Sequence, residues 1–279
     1  MGADVVVVGQ LGRDLVVRID EGRVVERREM LGGKGANQAV GLAMRGATVA
    51  LVGVVGADDV GARLLAQARV DGLDVTCVMR RGESALLIDL VEDGQRRLIE
   101  HVPAPALLTV DDVRAAGTLV AAADTVCLQL QQPLDALLQA ARSALSSGAR
   151  LVLDGAVDDA DELLAAADVL RADAREARQL TGVEVHDEAA ARDAAARLLA
   201  AGPSLVALEA GDGDLIAWPT GAAFLPHADV DVVDPTGGGD AFVAGLVTAL
   251  RGGADPEQAG RAASAAAAAV VSRLGGRPA

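Results

Sequence analysis

Three consecutive glycines followed by an aspartate are the most chemically pointed residues in this chain: Asp234-Pro235-Thr236-Gly237-Gly238-Gly239-Asp240. Glycines leave the main chain bare, so the N–H groups of Gly237, Gly238 and Gly239 can converge on an anion. The apolar run at 241–250 has helical length. A helix there adds its unpaired N–H groups and positive dipole end. Such a nest suits a phosphate whose charge moves during a reaction. Asp240 at its mouth is placed to take a proton from an attacking hydroxyl. Asp234 lies on the strand side of the same turn. The plain alternative is a glycine-rich turn in which Asp240 is only a helix N-cap.

A second cluster, Gly32-Gly33-Lys34-Gly35-Ala36-Asn37, leads into a helix expected to reach about Arg45. It is no Walker A loop, because Gly35 follows Lys34, and it does not complete G-x-G-x-x-G. Its glycines instead let a substrate press against backbone, with Asn37 offering both donor and acceptor. Lys34 is the only lysine of the chain. It is either a working charge inside the turn or a solvated one. Asp14 falls just past the opening strand, where open α/β sheets bind ligands, and could bind sugar hydroxyls. Asp173 and Glu176 stand one turn apart at a helix start. They could order water around magnesium, or simply make a favourable acidic first turn. His101, His186 and His227 are scattered, and Cys77 and Cys127 sit apart in apolar surroundings. These residues support no metal-ligand cluster, hydrolase triad, nicotinamide site or disulfide.

The elements that must hold these groups are legible from period and punctuation. Val5-Val6-Val7-Val8-Gly9 and the stretch 49–55 look like strands buried on both faces of a parallel sheet. Two hairpin patterns, turning at Asp20-Glu21-Gly22 and at Glu92-Asp93-Gly94-Gln95, predict a small separate sheet able to cover a site. Its segments are taken as 15–31 and 75–104. From Thr109 onward helix and strand alternate. The last helix opens with the capping box Asp255-Pro256-Glu257-Gln258 and is expected to stop at Gly275-Gly276. Its alanines are helix filler or allow close packing.

The chain has 279 residues, 51% hydrophobic and only 1% aromatic, with a formal net charge of -15. One large α/β domain with an aliphatic core follows. The acidity argues against nucleic acid and anionic membranes as partners, and scarce aromatics argue against base stacking. Phosphate attraction must then be concentrated locally. The N-terminus reads as a strand without a basic leader, Val6 breaks the myristoylation pattern, and no apolar run spans a membrane, so a cytoplasmic protein is expected.

The two glycine motifs, in this order and with this spacing, resemble the signatures of the ribokinase-like (PfkB) sugar kinases. The resemblance covers nearly the whole chain. It implies one three-layer α/β/α domain over 1–279, with a mostly parallel sheet and a small β lid. It implies ATP-dependent phosphorylation of a sugar's primary hydroxyl, ribose being the expected pentose. It assigns the base to Asp240 and the anion hole to Gly237, Gly238 and Gly239. Sugar contacts fall on Asp14, Gly32, Gly33, Lys34, Asn37 and Gln131. The nucleotide and magnesium positions fall on Asp173, Glu176, Gly211, Asp212, Gly213 and Ser264. A monovalent cation, potassium in particular, falls on Asp234 and Thr236. It also implies a homodimer through the lid. The chain departs from the pattern at Gly12, where asparagine is expected, at Gln131 in place of glutamate, and at Asp173 in place of asparagine. Its nucleotide loop has one residue between glycines instead of two, and the lid is short at Ile19 to Val24. Alternatives are a nucleoside kinase, a phosphosugar kinase using Arg80, Arg81, Arg96 and Arg97, or a sugar- or nucleotide-binding sensor without turnover.

Overall fold

Four β-branched residues with no exposed surface, Val5–Val8, form β1 at the middle of the large sheet. Their side chains alternate between two cores. Val6 and Val8 pack into one, Val5 and Val7 into the other. A strand clothed on both faces in this way requires helices above and below it. The computed structural model describes residues 2–92 and 95–273. The turn residues Asp93 and Gly94 and the helix stop at Gly275-Gly276 lie outside the described residues.

After β1 come β2 (Gly12–Asp20), β3 (Arg23–Gly32), α1 (Lys34–Ala43), β4 (Val49–Val55), α2 (Asp59–Val70) and β5 (Asp74–Arg80). Then follow β6 (Leu86–Glu92), β7 (Gln95–His101), α3 (Val110–Ala115), α4 (Gly117–Ala122), β8 (Thr125–Gln129), α5 (Leu134–Ser147), β9 (Arg150–Asp154), α6 (Asp161–Ala166) and β10 (Val169–Ala172). The chain continues through α7 (Ala174–Thr181), α8 (Glu188–Ala201), β11 (Leu205–Ala210), β12 (Gly213–Trp218), β13 (Gly221–Pro226), α9 (Gly238–Arg251) and α10 (Pro256–Val271).

Nine strands make one sheet in the order β13-β12-β11-β10-β9-β8-β1-β4-β5. All pair in parallel except β11-β12 and β12-β13. Strand order reverses at β1, which has β4 on one side and β8 on the other. The crevice at the carboxyl ends of β1 and β8 is therefore a natural ligand site. Alanines let α9 and α10 approach closely: a Cβ on Gly245 would stand 3.0 Å from the Ala263 Cα. The expected packing role of the alanine-rich last helix holds. Among the described residues no helix is long and apolar enough to cross a membrane.

The second sheet, β3-β2-β6-β7, is the expected lid. Its boundaries differ from the sequence reading in two places. The first segment begins at Gly12 rather than 15, so Asp14 lies inside β2. The stretch 75–80 belongs to β5, which pairs in parallel with β4 at the edge of the large sheet. Its inward residues Val75 and Val78 join the main core, and that burial outweighs its proximity in sequence to the lid hairpin.

Candidate active site

The sequence motifs meet at the carboxyl edge of the large sheet, under the lid. A cavity of about 440 Å³ there is lined by Asp14, Gly33, Lys34, Asn37, Gln131, Asp173, Glu176, Thr236, Gly237, Gly239 and Asp240. A second cavity of about 250 Å³ lies on the far side of the nest and includes Asp214, His227, Phe242, Ser264 and Val271. Arg171, Glu209, Pro235 and Gly239 line both.

Gly237 takes the left-handed conformation, φ 73°, that ends the incoming loop and lets α9 begin at Gly238. Asp240 is therefore in the first turn of the helix and is not its N-cap; Gly237 is. The Gly238 N–H turns back to the Pro235 carbonyl at 3.3 Å. The N–H groups of Gly237, Gly239 and Asp240 make no hydrogen bond to another described residue. The open nest is thus made by Gly237, Gly239 and Asp240, with Gly238 partly closed off.

Asp240 is 8% exposed and held from α1. The Asn37 amide donates to its Oδ2 at 3.1 Å and the Gln38 amide to its Oδ1 at 3.3 Å. The same Gln38 Nε2 donates to Asp154 Oδ2 at 2.8 Å. Burial first, and then the charge of Asp154, pushes the Asp240 carboxyl up to about 6, against the pull of Lys34. Burial likewise raises Asp154, with Lys34 and Arg171 opposing.

Lys34 bonds Glu176 Oε1 at 2.8 Å and is no solvated charge. Burial works against its ammonium, but Asp154, Glu176 and Asp240 outweigh it and hold its pKa above the lysine range. Burial alone would raise Glu176; Lys34 and Arg171 hold it below the usual carboxyl range instead. Asp173 caps α7 in a reciprocal box with Glu176: its Oδ1 accepts from the Glu176 N–H at 2.7 Å, and Glu176 Oε2 accepts from the Asp173 N–H at 2.9 Å. The plain reading of an acidic first turn is refined: Asp173 is the N-cap and only Glu176 lies in the first turn, and both residues also line the larger cavity. Gly32 is a close approach. A Cβ there would fall 1.8 Å from the Asp14 Cγ, so the glycine makes room for that carboxylate.

Three expectations need correction or refinement. Gly211 and Asp212 form the two-residue turn between β11 and β12, and Gly213 pairs inside β12. None of the three lines either cavity; the residue of that loop region that does is Asp214. Ser264 does line the smaller cavity and donates to Asp214 Oδ2 at 3.0 Å. Asp234 is fully buried beneath the nest and accepts the Thr236 N–H at 2.9 Å.

Sequence reasoning gave no role to Gln38, which directly follows Asn37 in the first glycine motif, and missed Asp154, Arg171, Glu209 and Asp214. Each of those four is a lone polar residue in an apolar element, without a spacing signature. Asp154, Arg171 and Glu209 do stand at the ends of apolar strands, which is the signal that could have found them.

Residues 3–279 match the pfkB family of carbohydrate kinases. The chain is 32% identical over 250 residues to the ribokinase of Haemophilus influenzae, covering 88% of this chain and 82% of that one. It is also 32% identical over 286 residues to the ATP-dependent ribose-1-phosphate kinase of Halopiger xanaduensis, with 97% and 93% covered. Among solved structures, the Arabidopsis thaliana ribokinase complexed with ribose and ATP superposes with a TM-score of 0.83 at 27% identity, covering 100% of this chain and 96% of that one.

Proposed function

Because the chain belongs to the pfkB family of carbohydrate kinases, and is thereby an ATP-dependent phosphotransferase acting on a sugar hydroxyl, we propose that its acceptor is the primary hydroxyl of ribose or a closely similar pentose. The acceptor lies in the larger cavity among Asp14, Gly32, Gly33, Asn37 and Gln131, with the lid above it. Nucleotide lies in the smaller cavity past Ser264. The acceptor oxygen forms a bond to the γ-phosphorus while the bond from that phosphorus to the bridging oxygen breaks. The freed electron pair leaves with ADP, and the hydroxyl proton goes to Asp240. The free N–H groups of Gly237, Gly239 and Asp240 take up charge on the phosphoryl oxygens. The observation that carries this reading is the meeting of a buried carboxylate with uncommitted main-chain amides at the wall between two cavities.

Magnesium bound to the triphosphate would neutralise part of its charge. Both Glu176 oxygens are engaged, so Asp173 and Glu176 fit that ion only through its water shell. Among the described residues no group of three or more His, Cys, Asp or Glu could hold a metal. Asp234 and Thr236 fit a monovalent cation such as potassium, because the buried Thr236 Oγ1 has no hydrogen-bond partner among the described residues. The lid offers a dimer surface: Val24, Val25, Leu98 and Ile99 on β3 and β7 are 40–63% exposed.

A phosphosugar acceptor fits less well. Arg81 is clamped by Asp112 at 2.7–2.8 Å and by the carbonyls of Pro105 and Leu107. Arg80 and Arg97 do not line the cavity, and the Arg96 side chain lies outside the described residues. Of the charged lid residues that line the cavity, Glu100 is an exposed carboxylate, which disfavours a phosphate beside it; the exposed Arg175 lines it from α7. The test is ATP consumption across pentoses, hexoses, nucleosides and sugar phosphates, ribose 1-phosphate included. Ribose should show the highest kcat/KM; a higher value for a nucleoside or sugar phosphate overturns the assignment.

A further inference from the structure

Between the two cavities stands Arg171, the third residue of β10, a buried cation that no glycine motif announces. Its guanidinium lies against the nest: a Cβ built on Gly239 would stand 2.8 Å from Nη1 and 2.9 Å from Nη2. The carboxylates around it hold it loosely. Nη1 is 3.4 Å from Asp154 Oδ1 and 3.9 Å from Glu176 Oε2, and Nη2 is 3.3 Å from Glu209 Oε2. Charge-assisted bonds in a finished ion pair close to about 2.7–2.9 Å. Lys34, a second cation lining the larger cavity beside Arg171 and the exposed Arg175, has such a bond at 2.8 Å to Glu176. Arg171 therefore keeps donors in reserve. Its partner Glu209 is 47% exposed and lines both cavities, so it can give way to an arriving anion.

We propose that Arg171 is a catalytic residue of the transfer, its planar guanidinium gripping the non-bridging oxygens of the phosphoryl group as that group crosses from the nucleotide cavity to the acceptor. The proposal rests on the kinase reading above and adds a bidentate side-chain clamp to the main-chain amides. Arginine suits the task because its fork matches two phosphoryl oxygens at once. Bonds and protons move as already described; Arg171 exchanges none. Its charge persists throughout, because Asp154, Glu176 and Glu209 outweigh the effect of burial. Glu209 occupies the clamp in the absence of nucleotide, limiting the cost of a buried cation.

The test compares Arg171→Met and Arg171→Lys with the wild type, on whichever acceptor of the panel the wild type phosphorylates. Steady-state kinetics, calorimetric ADP affinity and the thermal midpoint are measured together. Arg171→Met should lower kcat by about 10²–10³ while ADP affinity stays within about threefold, since ADP lacks the phosphoryl group that is gripped. Arg171→Lys, a point charge without the fork, should fall between the two. A purely structural role would move ADP affinity along with kcat, whereas the thermal midpoint falls on either reading because Asp154 loses its buried partner. A kcat within about fivefold of wild type for Arg171→Met, or equal losses in kcat and ADP affinity, overturns the proposal. If Arg171→Met does not fold, Glu209→Gln supplies the reading. Loosening the exposed partner should lower KM for ATP by about two- to fivefold, and an unchanged or higher KM overturns the clamp. A wild type that prefers another sugar sinks the ribose assignment alone; one that turns over no acceptor refutes the kinase reading before any variant is made.

Discussion

Asp240→Asn should make the protein more stable while nearly abolishing turnover. Asp240 is 8% exposed, and its carboxyl is raised from an ordinary 3.8 to about 6, by burial first and Asp154 second. That rise makes the ionised folded state less stable by about 3 kcal/mol. The penalty is complete where folded and unfolded chains are both ionised, above about pH 6. It shrinks as pH falls through 6 and disappears below about 3.8. An amide carries no such penalty. It does lose one acceptor, since Asn37 and Gln38 both donate to the carboxylate, and that costs about 1 kcal/mol. The net gain near pH 7.5 is then about 2 kcal/mol, or roughly 3–4 °C in the thermal midpoint for a chain of this size. Turnover should fall by about 10²–10⁴, the worth of a general base. Melting curves at about pH 7.5 and pH 4.5, run beside kinetics on the same preparation, check both halves. The gain should be clear at the higher pH and largely lost at the lower. A variant no more stable than wild type at the higher pH, or equally stabilised at both, would show that burial does not set the Asp240 ionisation. Turnover within tenfold of wild type would remove Asp240 from the chemistry.

Three further outcomes follow from the same geometry. The acid limb of kcat/KM should bend near pH 6, and Asp154→Asn should move it to lower pH, because the charge of Asp154 raises Asp240; ATP titrates in this range too, so the two proteins are compared at the same ATP level, and a limb that stays put or moves upward refutes the coupling. Gly32→Ala would drive a methyl into the Asp14 carboxylate, so the acceptor KM should rise at least about tenfold with KM for ATP nearly unchanged; equal changes in both would place Asp14 away from the acceptor. Thr236→Val removes the buried Oγ1 that has no partner among the described residues, and any activation by potassium over a potassium-free buffer should shrink; undiminished activation in the variant would locate the cation elsewhere.

The parts of the site that were legible in the sequence are those whose chemistry depends on local spacing. A left-handed Gly237, a bare Gly239 and a carboxylate one position further make sense together only as a nest opening a helix, and they are adjacent in the chain. The one-turn spacing of Asp173 and Glu176 was legible too, although the reciprocal capping box it makes was not read from it. The β lid was visible as paired hairpins. Its true limits were not, because β5 and the lid strands carry similar alternation, and only the long-range pairing of β5 with β4 separates them. The nucleotide loop lies apart from both cavities for a related reason. Gly211-Asp212-Gly213 has the composition of a phosphate loop, but β11 and β12 pair so closely that it is reduced to a tight hairpin turn facing neither cavity.

What remained hidden is assembled by sheet order. Gln129, Asp154 and Arg171 are far apart in sequence, yet register places Gln129 beside Asp154 and Asp154 beside Arg171 across β8, β9 and β10, with Glu209 at the matching end of β11. Each stands at or near the carboxyl end of an apolar strand, where burial of a charge is costly unless partners or a ligand compensate. Parallel strands supply the partners automatically, since every carboxyl end arrives at the same edge. A lone charge ending one apolar strand carries little information. Charges ending three successive strands of a parallel α/β chain, here Asp154, Arg171 and Glu209, define an electrostatic row before any contact is known. On the proposed reading, that row also accounts for how an acidic protein admits phosphate. Arg171 and Lys34 are outnumbered by carboxylates nearby, so an anion would be attracted only once it reached the wall between the cavities, where uncommitted amides meet the loosely held guanidinium.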